Sequence, residues 1–316
     1  MKYNLLIIVT LLAAIILPVN AQTVPLSKEL KKETFKFAQK DTASLSLDVY
    51  TPLSPAITKR PCVLFVFGGG FISGQRDHPD YNNYFNTLTA HGYDVVSISY
   101  RLGMKGVRHL SIFNTAPIKR TIDMAVEDLF DATVWVLHHA DSLGIDTSKL
   151  IISGTSAGAI TVLQADYERS NKSKLSTRLP QNFRYAGVIS FAGAIFSTHG
   201  SPVYKTPPAP TLLFHGTRDN LVSYDKRRFF NIGLFGSSYL AKLFRTKGYP
   251  YCIYSVEGMG HEVALSPMNE NAREIFYFID QYINRRNPYQ MDILFKDPNL
   301  KPTWKTITPE KMYKDK

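Results

Sequence analysis

The sequence predicts an α/β fold with a mostly parallel central sheet flanked by helices. Two observations predict it. Continuous apolar runs, typical of strands that are buried on both faces, alternate along the chain with segments of helical periodicity. In addition, a Gly-x-Ser-x-Gly pentapeptide at residues 154–158 stands between one of these strands and a helix-compatible segment. Because such sheets carry their sites at the carboxyl ends of the strands, the pentapeptide marks a candidate site.

The first 21 residues have the pattern of a secretory signal peptide. Lys2 is followed by an apolar run over residues 5–17, and the segment ends in small residues at Ala21. The apolar run is shorter than the about 20 residues that a membrane-spanning helix needs. We therefore expect a secreted or periplasmic protein that begins near Gln22 and is not stably inserted in a membrane. An uncleaved membrane anchor is the alternative.

One catalytic domain is predicted over residues 22–286, because a chain of this length with 44% hydrophobic residues can bury one large core. Residues 287–316 are predicted to be a tail that packs on the domain or trails from it. Near the start of the domain, residues 34–38 and 45–50 alternate polar and apolar side chains around a short polar segment. This pattern predicts an antiparallel hairpin at the edge of the sheet.

The remaining elements are predicted from apolar runs and from helical periodicity. The strand before the pentapeptide follows a long amphipathic helix, and the last clear strand precedes a closing helix. Strands are expected at residues 62–67, 94–101, 150–153, 185–191, 211–214 and 251–256, and helices at residues 81–90, 118–140, 159–165 and 269–286.

Composition limits the partners of the chain. Cys62 and Cys252 each fall in an apolar strand and are expected to be buried packing residues, although a disulfide between them is an open alternative. The formal net charge is +11, but the basic residues are spread along the chain apart from short clusters at 226–228 and 285–286. Dispersed charge is typical of a solvated surface, so no nucleic-acid partner is predicted.

The pentapeptide predicts a nucleophilic serine, Ser156. A serine on a strand-to-helix turn has a strained backbone that lifts its hydroxyl above the sheet, and glycines two residues to either side leave room for the crossing strand and helix. A serine hydroxyl is a weak nucleophile at neutral pH. It therefore needs a histidine to accept its proton and a carboxylate to orient that histidine.

His261 is the predicted base, since it is the only histidine beyond the last candidate acid loop and lies in a glycine-rich loop after the final strand. Asp219 is the preferred acid, because it stands just past the carboxyl end of the strand at 211–214. Asp225 and Glu257 are the alternatives. Asp225 is expected to begin the next helix, and Glu257 sits too near the end of its strand to reach over easily.

Acyl transfer also needs backbone amides directed at the developing oxyanion, each worth about 3 to 4 kcal/mol in mutational tests. The run Gly68–Gly70 at the end of a buried strand offers amides without side chains, and Ala157 supplies the amide after the nucleophile. The same run does not fit a phosphate-binding loop, because no Gly-Lys-Ser/Thr ending follows it. No cofactor and no metal are predicted.

Taken together, these motifs resemble the α/β-hydrolase carboxylesterases over about residues 34–286. The matching segments are residues 47–52, 67–71, 154–158, 215–219 and 260–261. Carried over by motif, the resemblance implies a triad and an oxyanion hole, which are Ser156, Asp219 and His261 and the amides of Gly69, Gly70 and Ala157. One departure is Phe67, which stands where the family usually has a histidine, so the hydrogen bonds that this histidine gives the loop must come from elsewhere.

The length of the chain is similar to that of the compact bacterial esterases, which release acetyl or aryl groups from sugars or small esters, and no large cap domain is expected. The predicted function is a serine carboxylesterase that acts through an acyl-enzyme on short-chain or aryl esters, including acyl groups on plant polysaccharide fragments. The alternatives are a serine peptidase of the prolyl-oligopeptidase type and a catalytically inactive binding module of the same fold.

Loop phenylalanines are the expected walls of the site, and the substrate is expected to be a small-molecule or oligosaccharide ester. The candidate residues are Phe71, Phe113, Phe196 and Phe230. Several of them converging would form a shallow apolar pocket that favours acetyl to butyryl groups, since each methylene that cannot be buried forgoes about 0.8 kcal/mol. Packing of each phenylalanine beneath its own loop is the alternative. The sequence leaves the oligomeric state open.

Overall fold

The structure is a computed structural model that describes residues 30–40, 43–53, 59–107 and 115–302. The predicted signal peptide, Phe113 and residues 303–316 lie outside the described residues. The strands in chain order are β1 Lys31–Lys40, β2 Ala43–Thr51, β3 Arg60–Val66, β4 Asp94–Ile98, β5 Ile145–Thr155, β6 Gly187–Phe191, β7 Ala194–Ser197, β8 Thr211–Gly216, β9 Lys226–Phe229, β10 Ile232–Gly236, β11 Tyr251–Val256 and β12 Gln290–Phe295.

A nine-stranded sheet organises the described part of the chain, in the order β1-β2-β4-β3-β5-β6-β8-β11-β12. The β1–β2 hairpin is antiparallel and joins β4 in antiparallel register, whereas every pair from β4 to β12 is parallel. The predicted fold, with its antiparallel hairpin at the edge, is confirmed. The parallel arrangement brings the carboxyl ends of the central strands to one edge.

Helices cover both faces of this sheet. They are α1 Asn82–Ala90, α2 Ala116–Leu143, α3 Ala157–Ser170, α4 Ser237–Lys247, α5 Ser266–Glu270 and α6 Ala272–Phe278. Helix α2 buries a stripe from Ile122 to Ala140 and ends at Gly144, whose left-handed backbone (φ 68°) is the usual stop for a helix. Within the described ranges, no helix has the length and apolar character that a membrane span requires.

The predicted closing helix over residues 269–286 is interrupted. Asn271 leaves the helical backbone (φ −113°, ψ 34°), so that α5 ends and α6 begins there. Helix α6 then continues as a π-helical turn over Ile279–Asn284. The apolar periodicity was correct for this segment, but it does not reveal a local change of helix type.

The core consists of the central strands and the helix faces that pack on them. Strands β4 and β6 are buried throughout, and β3 is buried from Cys62 onward. Cys62 and Cys252 are both buried and free, as expected of packing residues. They lie on β3 and β11, which are four positions apart in the sheet, or roughly 19 Å at the usual strand spacing. That separation rules out a disulfide between them.

Strand β12 was not predicted. It lies parallel to β11 with Gln290 opposite Tyr251, so the start of the predicted tail is part of the sheet. Met291 and Ile293 are half-buried while their neighbours are exposed. This period-two pattern is that of an edge strand with one covered face, and a polar, proline-containing tail obscured it.

A second, three-stranded antiparallel sheet, in the order β7-β10-β9, was also not predicted. Phe230, which was expected on a loop, lies at the turn of this sheet, and the run Phe229–Phe235 forms the end of β9, the turn and most of β10. Asp225 does not begin a helix. Its carbonyl accepts a hydrogen bond from Gly236 (2.6 Å), which closes this hairpin, and the helix begins at Ser237 instead. Since β7 follows β6 and β9 follows β8, this sheet lies beside the carboxyl edge of the main sheet.

Candidate active site

Ser156 lies on the turn between β5 and α3, as predicted. Its backbone is strained (φ 52°, ψ −115°), a conformation that costs about 1 to 3 kcal/mol. Two hydrogen bonds hold it there. The Ser156 amide donates to the Phe191 carbonyl (2.8 Å), and the Ser156 carbonyl accepts from the Ile160 amide (2.9 Å). The half-buried side chain is thereby fixed at the carboxyl edge of the sheet.

Close backbone approach explains the two glycines of the pentapeptide. A Cβ atom on Gly154 would lie 2.4 Å from the Gly158 carbonyl oxygen, and one on Gly158 would lie 2.0 Å from the carbonyl oxygen of Val66. Both contacts are with backbone atoms, which cannot rotate away. Glycine at these positions therefore allows α3 to start directly against the ends of β5 and β3.

His261 bridges Ser156 and Asp219. Its Nε2 lies 2.7 Å from Ser156 Oγ, and its Nδ1 lies 2.6 Å from Asp219 Oδ2. An ionised carboxylate only accepts hydrogen bonds, so Nδ1 carries the proton and Nε2 is left to accept from the serine hydroxyl. His261 and Asp219 are each 5% exposed, so the contacts are shielded from water. The structure therefore brings together the three side chains that the sequence predicted.

Asp219 is held by both of its carboxylate oxygens. Oδ1 accepts from the amides of Leu221 (2.9 Å) and Val222 (3.0 Å), while Oδ2 faces His261 and also lies 3.3 Å from Nε2 of His215. Burial alone would raise the pKa of the Asp219 carboxyl, but hydrogen bonds from His215 and His261 lower it further than burial raises it. Its pKa is held well below the ordinary value. Asp219 is therefore a permanent anion behind His261.

His215 is fully buried beside the acid and shapes its loop. Nε2 faces two acceptors, Asp219 Oδ2 and the Val222 carbonyl (3.0 Å), so this nitrogen carries the proton. Nδ1 lies 2.8 Å from Ser237 Oγ and accepts its hydrogen. From the sequence, His215 is interpreted as a loop-shaping residue rather than a catalytic one, and its spacing of four residues from Asp219 is a signal that the two side chains could meet.

The alternative acids lie elsewhere on the surface. Asp225 pairs with Lys242 (3.2 Å) and Glu257 with Lys296 (3.3 Å), and all four side chains are exposed. Asp219 occupies the position at His261 Nδ1 that either of them would need. The geometry thus favours Asp219 as the orienting carboxylate.

The glycine run after β3 approaches the nucleophile. A Cβ atom on Gly68 would lie 3.3 Å from the Cβ of Ser156. Gly69 has a φ of 117°, and its carbonyl accepts from the amides of Ile72 (3.1 Å) and Ser73 (3.2 Å), which closes a tight turn. Gly70 follows with a φ of 63°, also in the region that favours glycine. This turn presents backbone, not side chains, toward Ser156.

Two tyrosine hydroxyls brace the turn where the family usually has a histidine. Tyr100 donates to the Phe67 carbonyl (3.0 Å), and its ring packs on that of Phe67 at a centroid distance of 4.4 Å. The Tyr81 hydroxyl accepts from the Gly68 amide (3.3 Å). Sequence reasoning missed both tyrosines, because neither belongs to a motif and both reach the turn from other segments.

The amide of Ala157 is the first of α3, and the first amides of a helix have no acceptor within it. The positive end of the helix dipole adds to its preference for an anion. With the turn at Gly69 and Gly70 across from it, the space beside Ser156 Oγ is suited to a developing negative charge.

The predicted phenylalanine wall is not assembled as expected. Phe71 is 1% exposed and packs edge-on against Tyr100 (6.1 Å between ring centroids), so it offers no surface to a substrate. Phe230 is 80% exposed at the tip of the β9–β10 turn. Phe196 is half-buried on β7, next to the carboxyl edge, and Phe113 lies outside the described residues. Packing beneath its own loop is the correct description for Phe71.

The strand order of the sheet and the position of Ser156 on a strand-to-helix turn define the class of this protein, which is that of the α/β-hydrolases. Residues 47–199, just under half of the chain, match the family model BD-FAE, and this range includes the glycine run and the pentapeptide.

The chain is also similar to esterases over parts of its length. Para-nitrobenzyl esterase of Bacillus subtilis is 31% identical over 119 residues, which are 37% of this chain and 23% of that protein. Esterase LipI of Mycobacterium tuberculosis is 34% identical over 113 residues, which are 34% of this chain and 29% of that protein. The chain thus spans less than a third of the length of either relative. Among solved structures, the propionate-bound esterase Est2 of Thermogutta terrifontis has a TM-score of 0.58 at 20% identity, covering 78% of this chain and 94% of that one.

Proposed function

We propose that this protein is a serine carboxylesterase that works through an acyl-enzyme. The observation that carries the proposal is the continuous hydrogen-bond chain from Ser156 Oγ through His261 to Asp219, at 2.7 and 2.6 Å. In the first step Ser156 Oγ attacks the acyl carbon while Nε2 of His261 takes its proton. The buried Asp219 anion keeps the ring oriented and stabilises the imidazolium that forms.

The amides of Gly69, Gly70 and Ala157 are proposed to bind the oxyanion of the tetrahedral intermediate. Backbone donors fixed before the reaction need no reorganisation when the charge develops, and each contributes about 3 to 4 kcal/mol. The ester C–O bond then breaks, and the leaving alkoxide takes the proton from His261. A water molecule, deprotonated by the same Nε2, attacks the acyl-enzyme and releases the acid and free Ser156.

Short acyl groups, on alcohols that can be bulky, are the proposed substrates. Among the described residues, the small β7-β10-β9 sheet rather than a large cap stands beside the carboxyl edge, and a site without a large cap can admit a bulky alcohol. The Thermogutta terrifontis esterase was solved with propionate and with butyrate bound, and the named Bacillus relative is a para-nitrobenzyl esterase. These support short-chain and aryl esters. Acyl groups on plant polysaccharide fragments, and a secreted or periplasmic location, remain part of the proposal.

An ester panel tests the proposed reaction. Acetyl, butyryl, octanoyl and feruloyl esters and acetylated xylan would be compared by kcat/KM, with peptide p-nitroanilides as the peptidase arm. We expect the highest values for acetyl to butyryl esters and no peptide cleavage. A steady rise from acetyl through butyryl to octanoyl esters would instead indicate a deep acyl channel.

A pair of serine variants tests the nucleophile. Ser156→Ala should retain less than about a hundredth of the activity while folding normally, because only the attacking oxygen is lost. Ser148→Ala, which removes an exposed hydroxyl on β5, is the matched control and should be fully active. Comparable activity of the two variants would show that Ser156 is not the nucleophile.

A further inference from the structure

The tip of the β9–β10 hairpin, Lys226–Asn231, combines positive charge with exposed aromatic surface. All six residues are exposed, so the tip projects from the small sheet. Phe230 is 80% exposed and Phe229 is 42% exposed. Their rings meet edge to face at a centroid distance of 4.7 Å.

The three cations of the tip have no acidic partner in the part of the chain that the structure describes. No carboxylate there lies within 4 Å of Lys226, Arg227 or Arg228, whereas Lys242, in the next helix, pairs with Asp225. Lys226 lies over the ring of Tyr239, 5.3 Å from its centroid, and Arg228 Nε donates to the backbone carbonyl of Phe230 (2.5 Å). A cluster of unpaired cations attracts an anionic partner.

The tip is fastened to the loop that carries the acid. Arg227 Nη2 donates to the carbonyl of Asn220 (2.7 Å), the residue that follows Asp219. Strand β10 also pairs with β7, which begins three residues after Phe191, the residue that holds the Ser156 amide. The hairpin is therefore attached both to the loop of Asp219 and, through β7, to the segment that holds Ser156.

Protection of a sheet edge would explain the charged residues of the tip but not its exposed phenylalanines. β9 is the edge of its sheet, and charged residues there discourage pairing with another strand. Exposed phenylalanines have the opposite effect. Phe230 also occupies a turn position with a φ of 50°, where glycine or asparagine is preferred and a bulky side chain is strained. An exposed, strained aromatic residue beside three cations calls for a partner that binds both.

We propose that the hairpin tip Lys226–Asn231 docks the protein on an anionic lipid surface, with the opening of the site turned toward that surface. Aromatic rings insert at the boundary of headgroups and acyl chains, and flanking cations neutralise anionic headgroups. A projecting tip suits a surface better than it suits a chain that lies in a groove. The two rings stand at 85° to each other, so they do not form the flat platform on which successive sugars stack.

Vesicle co-sedimentation tests the docking without any enzyme assay, so its failure is distinct from a failure of the proposed esterase. The exported full chain would be mixed with phosphatidylcholine vesicles, with and without phosphatidylglycerol, at about 0.1 M salt. We expect binding to the anionic vesicles. Neutralising Lys226, Arg227 and Arg228 to Gln should lower the partition coefficient about 100-fold, since each cation contributes about a factor of five. Phe229→Ser with Phe230→Ser should lower it at least about 10-fold.

A charge-matched control distinguishes an effect of the tip cations from an effect of the net charge of the protein. Lys59, Lys119 and Arg285 are exposed cations outside the tip, each paired with a carboxylate, and changing all three to Gln lowers the net charge by the same amount. This control should bind vesicles as the wild type does. Equal loss in the control, or no vesicle binding by the wild type, would overturn the proposal, as would retention on polygalacturonate without vesicle binding.

Fluorescence measures separately whether the tip inserts into the lipid. Phe230→Trp places a fluorescent ring at the most exposed position, and its emission should shift to shorter wavelength on anionic vesicles only. Thermal unfolding of each variant confirms that it is folded. An unshifted emission maximum on vesicles that bind the protein would show that another surface makes the contact.

Discussion

Replacing Asp219 by asparagine should reverse the hydrogen bonding of His261. The amides of Leu221 and Val222 donate to Oδ1 at 2.9 and 3.0 Å, so they fix the oxygen of the new amide in the place of Oδ1. Its NH2 group then takes the place of Oδ2, 2.6 Å from Nδ1 of His261. Because an NH2 group only donates, Nδ1 must accept and the ring proton moves to Nε2. His261 can then no longer accept from Ser156.

The expected loss follows from this change of tautomer. The equivalent substitution in a serine protease triad lowers kcat about 10⁴-fold, or about 5.5 kcal/mol in barrier height. We expect a loss of about 10³- to 10⁴-fold in kcat/KM for p-nitrophenyl acetate. The new NH2 also faces the N–H of His215, so the free energy of unfolding should fall by about 1 to 3 kcal/mol.

Asp225→Asn, an exposed carboxyl six residues further along, is the matched control and should be fully active. Thermal unfolding would show that both variants are folded at the assay temperature. The reasoning is refuted if Asp219→Asn keeps more than about a tenth of the activity, or if Glu257→Gln loses activity while Asp219→Asn does not.

Three further predictions concern the loop, the core and the chain start. Tyr100→Phe removes the hydroxyl that donates to the Phe67 carbonyl and should lower kcat about 10-fold at similar KM. Its control is Tyr185→Phe, which also loses a buried hydroxyl contact but should lower only the unfolding temperature. Burial raises the pKa of Asp166 from 3.8 to about 7, so the folded state binds this proton more tightly and stability falls as pH rises between those values. In urea unfolding, Asp166→Asn should therefore match the wild type near pH 4 and exceed it at pH 8 by up to about 4 kcal/mol. N-terminal sequencing of the exported protein should find Gln22 or a near neighbour, and an uncleaved chain would indicate an anchor.

Chain order and strand ends were sufficient to predict which side chains meet at the site. Ser156, Asp219 and His261 each follow a buried parallel strand, and the carboxyl ends of such strands lie at one edge. The hydrogen-bond distances confirm that these side chains converge. The choice of Asp219 over Asp225 and Glu257 followed from the same rule, because reach from a strand end depends on distance along the chain.

Other features depend on contacts that no local pattern carries. Strand β9 reads Lys-Arg-Arg-Phe and is exposed on both faces, so it has no apolar alternation to predict it. Its sheet is completed by β7, from a distant part of the chain. Likewise, Tyr100 is brought to the glycine turn by the pairing of β4 with β3, and Tyr81 by the packing of the segment before α1.

Covalent labelling tests the central claim most directly. The exported protein would be treated with a fluorophosphonate, digested, and the modified peptide mapped by mass spectrometry. We predict one adduct, on Ser156, whose formation slows by at least about 10³-fold in His261→Ala, because the serine then lacks its base. An adduct on any other residue, or an unmodified Ser156 in folded protein, would contradict the account.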